Sequence, residues 1–230
     1  MIGPAALGLA LTGGLAHGAF HRNSPIFGAP ITRVRGADAV ALTFDDGPNP
    51  QATPRILDAL ASLDVCATFF VLGRHADRWP ELVARMKNEG HVVANHGWYH
   101  RKLHFRSPAY VRDDLQRGTR SIEAAGGGTP ALFRAPHGFR SPWVTSIARG
   151  MGQRTVGWSL GVWDSDRPGA DVIAERTVRG AREGAILLLH DGDGYAPLGD
   201  RLQTAEAIPA VVAGVRAKGL RFVPLTGENW

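Results

Sequence analysis

The 230-residue chain has one cysteine, Cys66, which excludes an internal disulfide framework and any Cys-rich zinc module. It also lacks internal repeats and long polar or low-complexity tracts, so neither an extended disordered region nor a repeat array is expected. A long uninterrupted apolar run is missing as well. The nearest approach, Met1 to Leu15, is rich in Ala, Leu and Gly and carries no charged side chain. It falls short of the roughly 20 apolar residues that span a bilayer, and it lacks the positive flank of an export signal. It nevertheless resembles the apolar part of such a signal or a short membrane anchor; the alternative is a terminal extension lying on the domain. Residues 1–37 are therefore expected to form an apolar segment and linker, and residues 38–230 one domain. Export or anchoring in the cell envelope is the expected location, with the cytoplasm as the alternative.

What the chain does have is 44% hydrophobic residues, enough for one substantial core. Its net charge of +5 suits an anionic wall polymer, a membrane surface or nucleic acid. The densest basic group, Arg101, Lys102, His104 and Arg106, lacks the succession of aromatics of a single-strand binding platform. It reads as a solvated loop, and no nucleic-acid partner is expected. Val65 to Val71 reads as a buried strand, which makes Cys66 an inert core residue.

From residue 38 onward, short apolar runs alternate with amphipathic stretches, the pattern of β/α units. Strands are expected at Ala39 to Phe44, Val65 to Val71, His91 to Ala94, Ala131 to Arg134, Thr155 to Trp158, Ala185 to Leu189 and Leu220 to Pro224. Thr53-Pro54 reads as an N-cap with proline at the first helical position, followed by an apolar face of Ile56, Leu57, Leu60 and Leu63. Further helices are expected at Pro80 to Asn88, from Ser107-Pro108 to before Gly126, and at Ser141 to Arg149, Asp171 to Arg182 and Gln203 to Lys218, with Pro209 bending the last. Ile186 to Leu189 is apolar throughout, as a strand buried on both faces must be. The leading architecture is a parallel, barrel-like α/β sheet ringed by helices; an open doubly wound sheet is second. Either places chemistry at the carboxyl ends of the strands.

Five strand ends carry unusual polar groups: Asp45-Asp46, Asn95-His96, Arg134, Asp164 and His190-Asp191. Adjacent carboxylates at a strand end point in different directions, so one of Asp45 and Asp46 suits a cation and the other a proton. His96 and His100 are spaced to reach a common ion, and an Asp with two His leaves a coordination position open, as catalytic sites require. Zinc is the expected divalent ion, with cobalt, nickel or manganese also acceptable to such a donor set. His190 suits a general acid, with Asp164 the neighbour that holds it protonated. His17, His21, His75, His91 and His104 have no such partners and read as structural or exposed.

The segments Thr43-Phe44-Asp45-Asp46-Gly47-Pro48, His96-Gly97-Trp98-Tyr99-His100, Arg134-Ala135-Pro136-His137-Gly138 and Leu187-Leu188-Leu189-His190-Asp191 resemble, in order, the motifs of the polysaccharide deacetylase family. This is the NodB-homology or carbohydrate esterase family 4 domain, and the likeness covers residues 38 to 227. The resemblance implies a distorted, incomplete (β/α) barrel. It implies Asp45 as catalytic base, Asp46, His96 and His100 as metal ligands, His190 as general acid and Asp164 as the acid that tunes it. It further implies that Arg134 orients the base, that the His137 backbone N–H holds the oxyanion, and that Leu188 lines the acetyl-methyl pocket. The implied activity is metal-dependent removal of N-acetyl, or O-acetyl, groups from a carbohydrate polymer such as peptidoglycan or a chitin-type chain. The chain departs from the pattern at Gly97, where Ser or Thr is common, and at His137, where Tyr is frequent. It departs also at Gly161 and Ser165, where an Asp and a Trp are usual. Two other readings stand beside this one: a carbohydrate-binding protein without turnover, and a deacylase of small amides or lipid-linked sugars.

Overall fold

The computed structural model describes residues 4–230, with side chains from residue 12 onward; the start of the apolar N-terminal segment, Met1 to Gly3, lies outside the described residues. Helix α1 (Pro4–Phe20) precedes β1 (Ala39–Asp45), α2 (Ala52–Ser62), β2 (Thr68–Val71), α3 (Gly73–Ala76), α4 (Pro80–Asn88) and β3 (Val92–Asn95). Then come α5 (Pro108–Ala124), β4 (Leu132–Phe133), α6 (Val144–Gly150), β5 (Arg154–Thr155), β6 (Leu160–Gly161), α7 (Ala170–Gly180), β7 (Ile186–His190), α8 (Leu202–Ala217) and β8 (Arg221–Phe222). Among the described residues, no helix is long and apolar enough to cross a membrane.

The strands form one sheet in the order β5-β4-β3-β2-β1-β7-β6, with β8 added to the start of β1, and every pairing is parallel. Among the described residues β5 and β6 do not pair, so the barrel is incomplete, in agreement with the expected distorted (β/α) architecture. The two faces of β1 explain why all seven of its residues are buried. Val40, Leu42 and Phe44 pack outward with Ile56, Leu57 and Leu60 of α2 and Ile208, Val211 and Val215 of α8. Ala39 and Ala41 lie in a separate interior cluster with Phe70, Ala94, Leu132 and Ile186. Side chains alternate along a strand, so Asp45 follows Ala39, Ala41 and Thr43 to the interior. The same count sends Ile186, Leu188 and His190 inward on β7, and Leu187 and Leu189 outward.

Several boundaries differ from the expectation. Val65 to Ala67 stay outside β2, because Val65 N–H donates to Leu60 O at the end of α2 and Ala67 N–H donates to His91 Nδ1. Cys66 is accordingly half-buried rather than part of a strand core. Thr53 lies inside α2 rather than capping it: the cap is Asn49, whose Oδ1 accepts from Gln51 and Ala52 N–H at 2.8 and 3.0 Å. Ser107, by contrast, caps α5 by accepting from Tyr110 N–H, as its position before proline suggests. In the Thr155 to Trp158 run only Thr155 is laddered; Val156 makes a lone bridge to Ile31. The short elements α3 and β6 have no counterpart in the sequence-based reading.

Gly118 on α5 lets that helix approach β3, since a Cβ there would press on Asn95 Oδ1 and the Gly97 carbonyl. Overpacking of this kind costs about 1–3 kcal/mol. Gly118→Ala is therefore expected to lower the unfolding free energy measured by chemical denaturation by that amount; a change within experimental error would show that α5 has room to move.

Candidate active site

Arg134 leaves β4 directly toward the barrel interior and is 0% exposed. Its Nη1 donates to Asp45 Oδ1 at 2.7 Å and Thr43 Oγ1 at 2.9 Å, and its Nη2 to Gly157 O at 3.0 Å. The guanidinium also lies 3.9 Å from the Phe70 ring centroid. One carboxylate oxygen of Asp45 is thereby fixed, and the other stands 3.7 Å from His96 Nε2.

Beside it, Asp46, His96 and His100 form a buried cluster whose ligand atoms lie within 4.8 Å of one another. Asp46 Oδ1 is buried without a hydrogen-bond partner, and faces Nε2 of His96 at 3.3 Å and of His100 at 3.0 Å. His96 donates through Nδ1 to Arg134 O at 2.9 Å, which aims its Nε2 at the cluster. An orphaned carboxylate oxygen converging with two imidazole nitrogens is a donor set that fits a divalent cation. Burial alone would raise the Asp46 pKa, yet the adjoining His100 and His96 hold it far below the carboxylate range. Burial drives His100 down to about 3, which keeps it neutral as a ligand must be.

Across the cleft, His190 donates through Nδ1 to Asp164 Oδ1 at 2.9 Å, while Asp164 Oδ2 accepts from His190 N–H and Thr204 Oγ1. About a fifth of the His190 side chain (19%) stays accessible, against 1% for Asp164. Burial opposes protonation of His190, but the Asp164 carboxylate raises its pKa to about 9. In the β1–β7 ladder Asp45 and His190 are register partners, so both stand at the same level of the barrel mouth.

These residues line one cleft of about 690 Å3, together with His137, Leu188, Trp158, Trp163 and Tyr195. Leu188 is 7% exposed. Asp46, His100, His137 and Trp163 all adopt the left-handed backbone region, with φ of 75°, 56°, 59° and 59°. Non-glycine residues rarely do so, and a cluster of them is typical of strained functional sites. Trp163, immediately before Asp164, is held out into solvent at 71% exposure.

Of the nine residues singled out from the sequence, Asp45, Asp46, His96, His100, His137, Asp164, Leu188 and His190 line this cleft, and Arg134 lies buried behind it, bonded to Asp45. Others were missed. His75, read as structural or exposed, is buried and donates through Nδ1 to the Asp46 carbonyl at 2.8 Å. Asp191 is buried, accepts from Thr53 Oγ1 at 2.6 Å, and has its pKa pushed by burial up to about 7. Tyr195 hydrogen-bonds His137 Nε2 at 2.8 Å and sets its ring edge against His100. A tyrosine in a Gly- and Asp-rich loop carries no local signal of that contact. The bracing hydroxyl absent at Gly97 is replaced by Asp114 and Asn95, which accept from Tyr99 and Gly97 N–H at 3.0 and 2.8 Å.

A family profile described as polysaccharide deacetylase matches residues 32–156. A chitooligosaccharide deacetylase of Bradyrhizobium is 39% identical over 201 residues, covering 84% of this chain and 91% of that protein. A peptidoglycan-N-acetylglucosamine deacetylase of Bacillus cereus is 35% identical over 192 residues, covering 81% of this chain and 86% of that protein. A crystal structure of a peptidoglycan N-acetylglucosamine deacetylase superposes with a TM-score of 0.79 at 31% identity, covering 84% of this chain and 89% of the other.

Removing one partner of a buried ion pair strands the other charge at a cost of about 3–5 kcal/mol. Arg134→Met is accordingly expected to lose that much stability in urea unfolding at neutral pH. A loss below about 1 kcal/mol would mean that Asp45 does not depend on this guanidinium.

Proposed function

The chain belongs to the polysaccharide deacetylase family, carbohydrate esterase family 4, and we propose that it hydrolyses N-acetyl groups on chains of N-acetylglucosamine, of the chitin-oligosaccharide or peptidoglycan type. The observation that carries this reading is the placement of Asp45 beside the Asp46–His96–His100 cluster with the His190–Asp164 pair in the same cleft. Asp46, His96 and His100 would hold a divalent cation, for which zinc is the proposed ion; when bound it would supply Lewis acidity toward an acyl carbonyl and lower the pKa of water.

Asp45 Oδ2, free of the Arg134 bond, is the oxygen that takes a proton from the attacking water. Arg134 keeps that carboxylate in one orientation. The backbone N–H of His137 donates to the developing acyl oxyanion, a contribution worth about 3 kcal/mol for one well-placed donor. His190, protonated against Asp164, delivers its proton from Nε2 to the leaving amine, and Leu188 borders the acetyl methyl. The burial of Asp45, Asp46 and His96 keeps bulk water away from the charges being moved.

A binding protein without turnover would have lost the base, a ligand or the acid, whereas residues suited to each are present here. A polymer of this kind is met in the cell envelope, where the apolar α1 and the net positive charge also fit.

Asp45→Asn is expected to bind one equivalent of metal and release no acetate; His96→Ala is expected to lose both. Retained turnover in Asp45→Asn would remove Asp45 from the role of base. Acetate release by the metal-loaded protein from N-acetylglucosamine oligomers, peptidoglycan fragments and acetylated xylan decides the substrate class. No release from any of the three would favour the binding protein. Activity should fall as pH rises through the His190 pKa, because the acid form is lost above it. Asp164→Asn removes the charge that raises this pKa, so the alkaline limb of the kcat profile should move to lower pH. An unmoved limb would assign it to another group.

A further inference from the structure

We propose that Phe20, Phe105 and Phe139 form a platform at the rim of the catalytic cleft that takes the face of a second sugar ring, with the turn from Phe20 to Asn23 as a fixed wall of the binding groove. This rests on the carbohydrate reading above and adds a subsite to it.

The turn after α1 belongs to a segment outside both the family match at residues 32–156 and the motif-bearing region, yet Phe20, His21 and Arg22 line the same cleft as Asp45, His96 and His190. It is not loosely laid there. Arg140 N–H donates to Ala19 O, and Arg140 Nη2 donates to Ser24 O at 2.6 Å from a buried position. Arg22 Nε and Asn23 Nδ2 both donate to Trp158 O, at 3.2 and 2.9 Å, and the Arg22 guanidinium lies over the Trp158 indole. Gly138 and Gly157 make room for this packing, since a Cβ at either would collide with Arg22 or Asn23.

The wall presents aromatic surface outward. Phe20 is 49% exposed and Phe105 82% exposed, although each is large and apolar. Phe20 meets Phe139 and Phe105 edge to face at centroid distances of 5.5 and 6.2 Å, and Phe139 lies 5.9 Å from His137. The row therefore runs without a break from His137, beside the metal cluster, to the solvent. Contiguous exposed aromatics at a cleft rim mark a binding surface. A pyranose ring has a face of C–H groups that an aromatic face matches, and a rim of hydroxyls for which Arg22 and His21 are neighbouring polar partners. An acyl group alone would need none of this surface; a chain extending beyond the acetylated unit would use it.

The test compares N-acetylglucosamine dimer and pentamer on the metal-loaded protein and on Phe105→Ala and Phe20→Ala. The advantage of pentamer over dimer in kcat/KM is expected to shrink about tenfold, through KM, and Phe105→Trp is expected to restore it. Phe105 projects into solvent, so its substitution reports even if Phe20→Ala unsettles α1. An advantage unchanged within twofold in Phe105→Ala, or an equal loss on both lengths carried by kcat, would overturn the platform. If the unmutated protein releases no acetate from any oligomer, the proposed reaction fails, and the platform is judged by pentamer titration of tryptophan fluorescence. A Kd about tenfold weaker in Phe105→Ala would support it. Dependence of dimerisation or vesicle binding on Phe105, with pentamer affinity unaltered, would give the surface to another partner and overturn the proposal.

Discussion

A guanidinium without access to water stands at the centre of this structure, and the barrel mouth is arranged around the need to compensate it. Transferring such a charge from water costs several kcal/mol even after relaxation. Arg134 recovers that cost only because Asp45, Thr43, Gly157 and the Phe70 ring converge on it from separate parts of the sheet. The dependence is mutual, since Asp45 would itself be an uncompensated buried carboxylate without Arg134. Electrostatics thus ties β1, the end of β4 and the chain after β5 to one another at the point where chemistry is to occur. The carboxylate proposed as base gains a fixed orientation as a by-product of charge neutralisation.

The strained backbone at Asp46, His100, His137 and Trp163 is a second demand on the same region. Each such residue costs on the order of 1–3 kcal/mol, so the fold must over-determine them. It supports three of them with hydrogen bonds: His75 to the Asp46 carbonyl in the interior, Tyr99 N–H next to His100 to Asp114, and Tyr195 to His137 at the exposed rim. Left-handed turns at Asp46, His100 and His137 bring side chains from three loops to the cleft, while the one at Trp163 turns its ring to solvent.

Much of this was legible in the sequence because short apolar runs mark the strands and unusual polar residues follow them. The apolar runs located β1 and β7, and the polar residues at their ends, Asp45 and His190, marked where the site forms. The two histidines of the metal cluster were legible from spacing, and the choice of Asp46, with the remaining roles, from the resemblance in motif order. What escaped had no local period. The elements α3 and β6 are four and two residues long, below the length at which a repeat is visible. Thr53 lost the capping role to Asn49 because its hydroxyl is engaged by Asn49 N–H and the buried Asp191. His75 and Tyr195 act through contacts 29 and 58 residues away in sequence, which only the fold reveals.

The β1–β7 ladder pairs Asp45 with His190 at the end of a run that begins at Ala41 with Ile186. The separation of the proposed base and acid is therefore a property of the hydrogen-bonded core and not of mobile loops. Local fraying that leaves these two strands joined cannot alter it. Heating that loosens only the surrounding loops leaves this base–acid spacing in place, and separation of the central strands abolishes it.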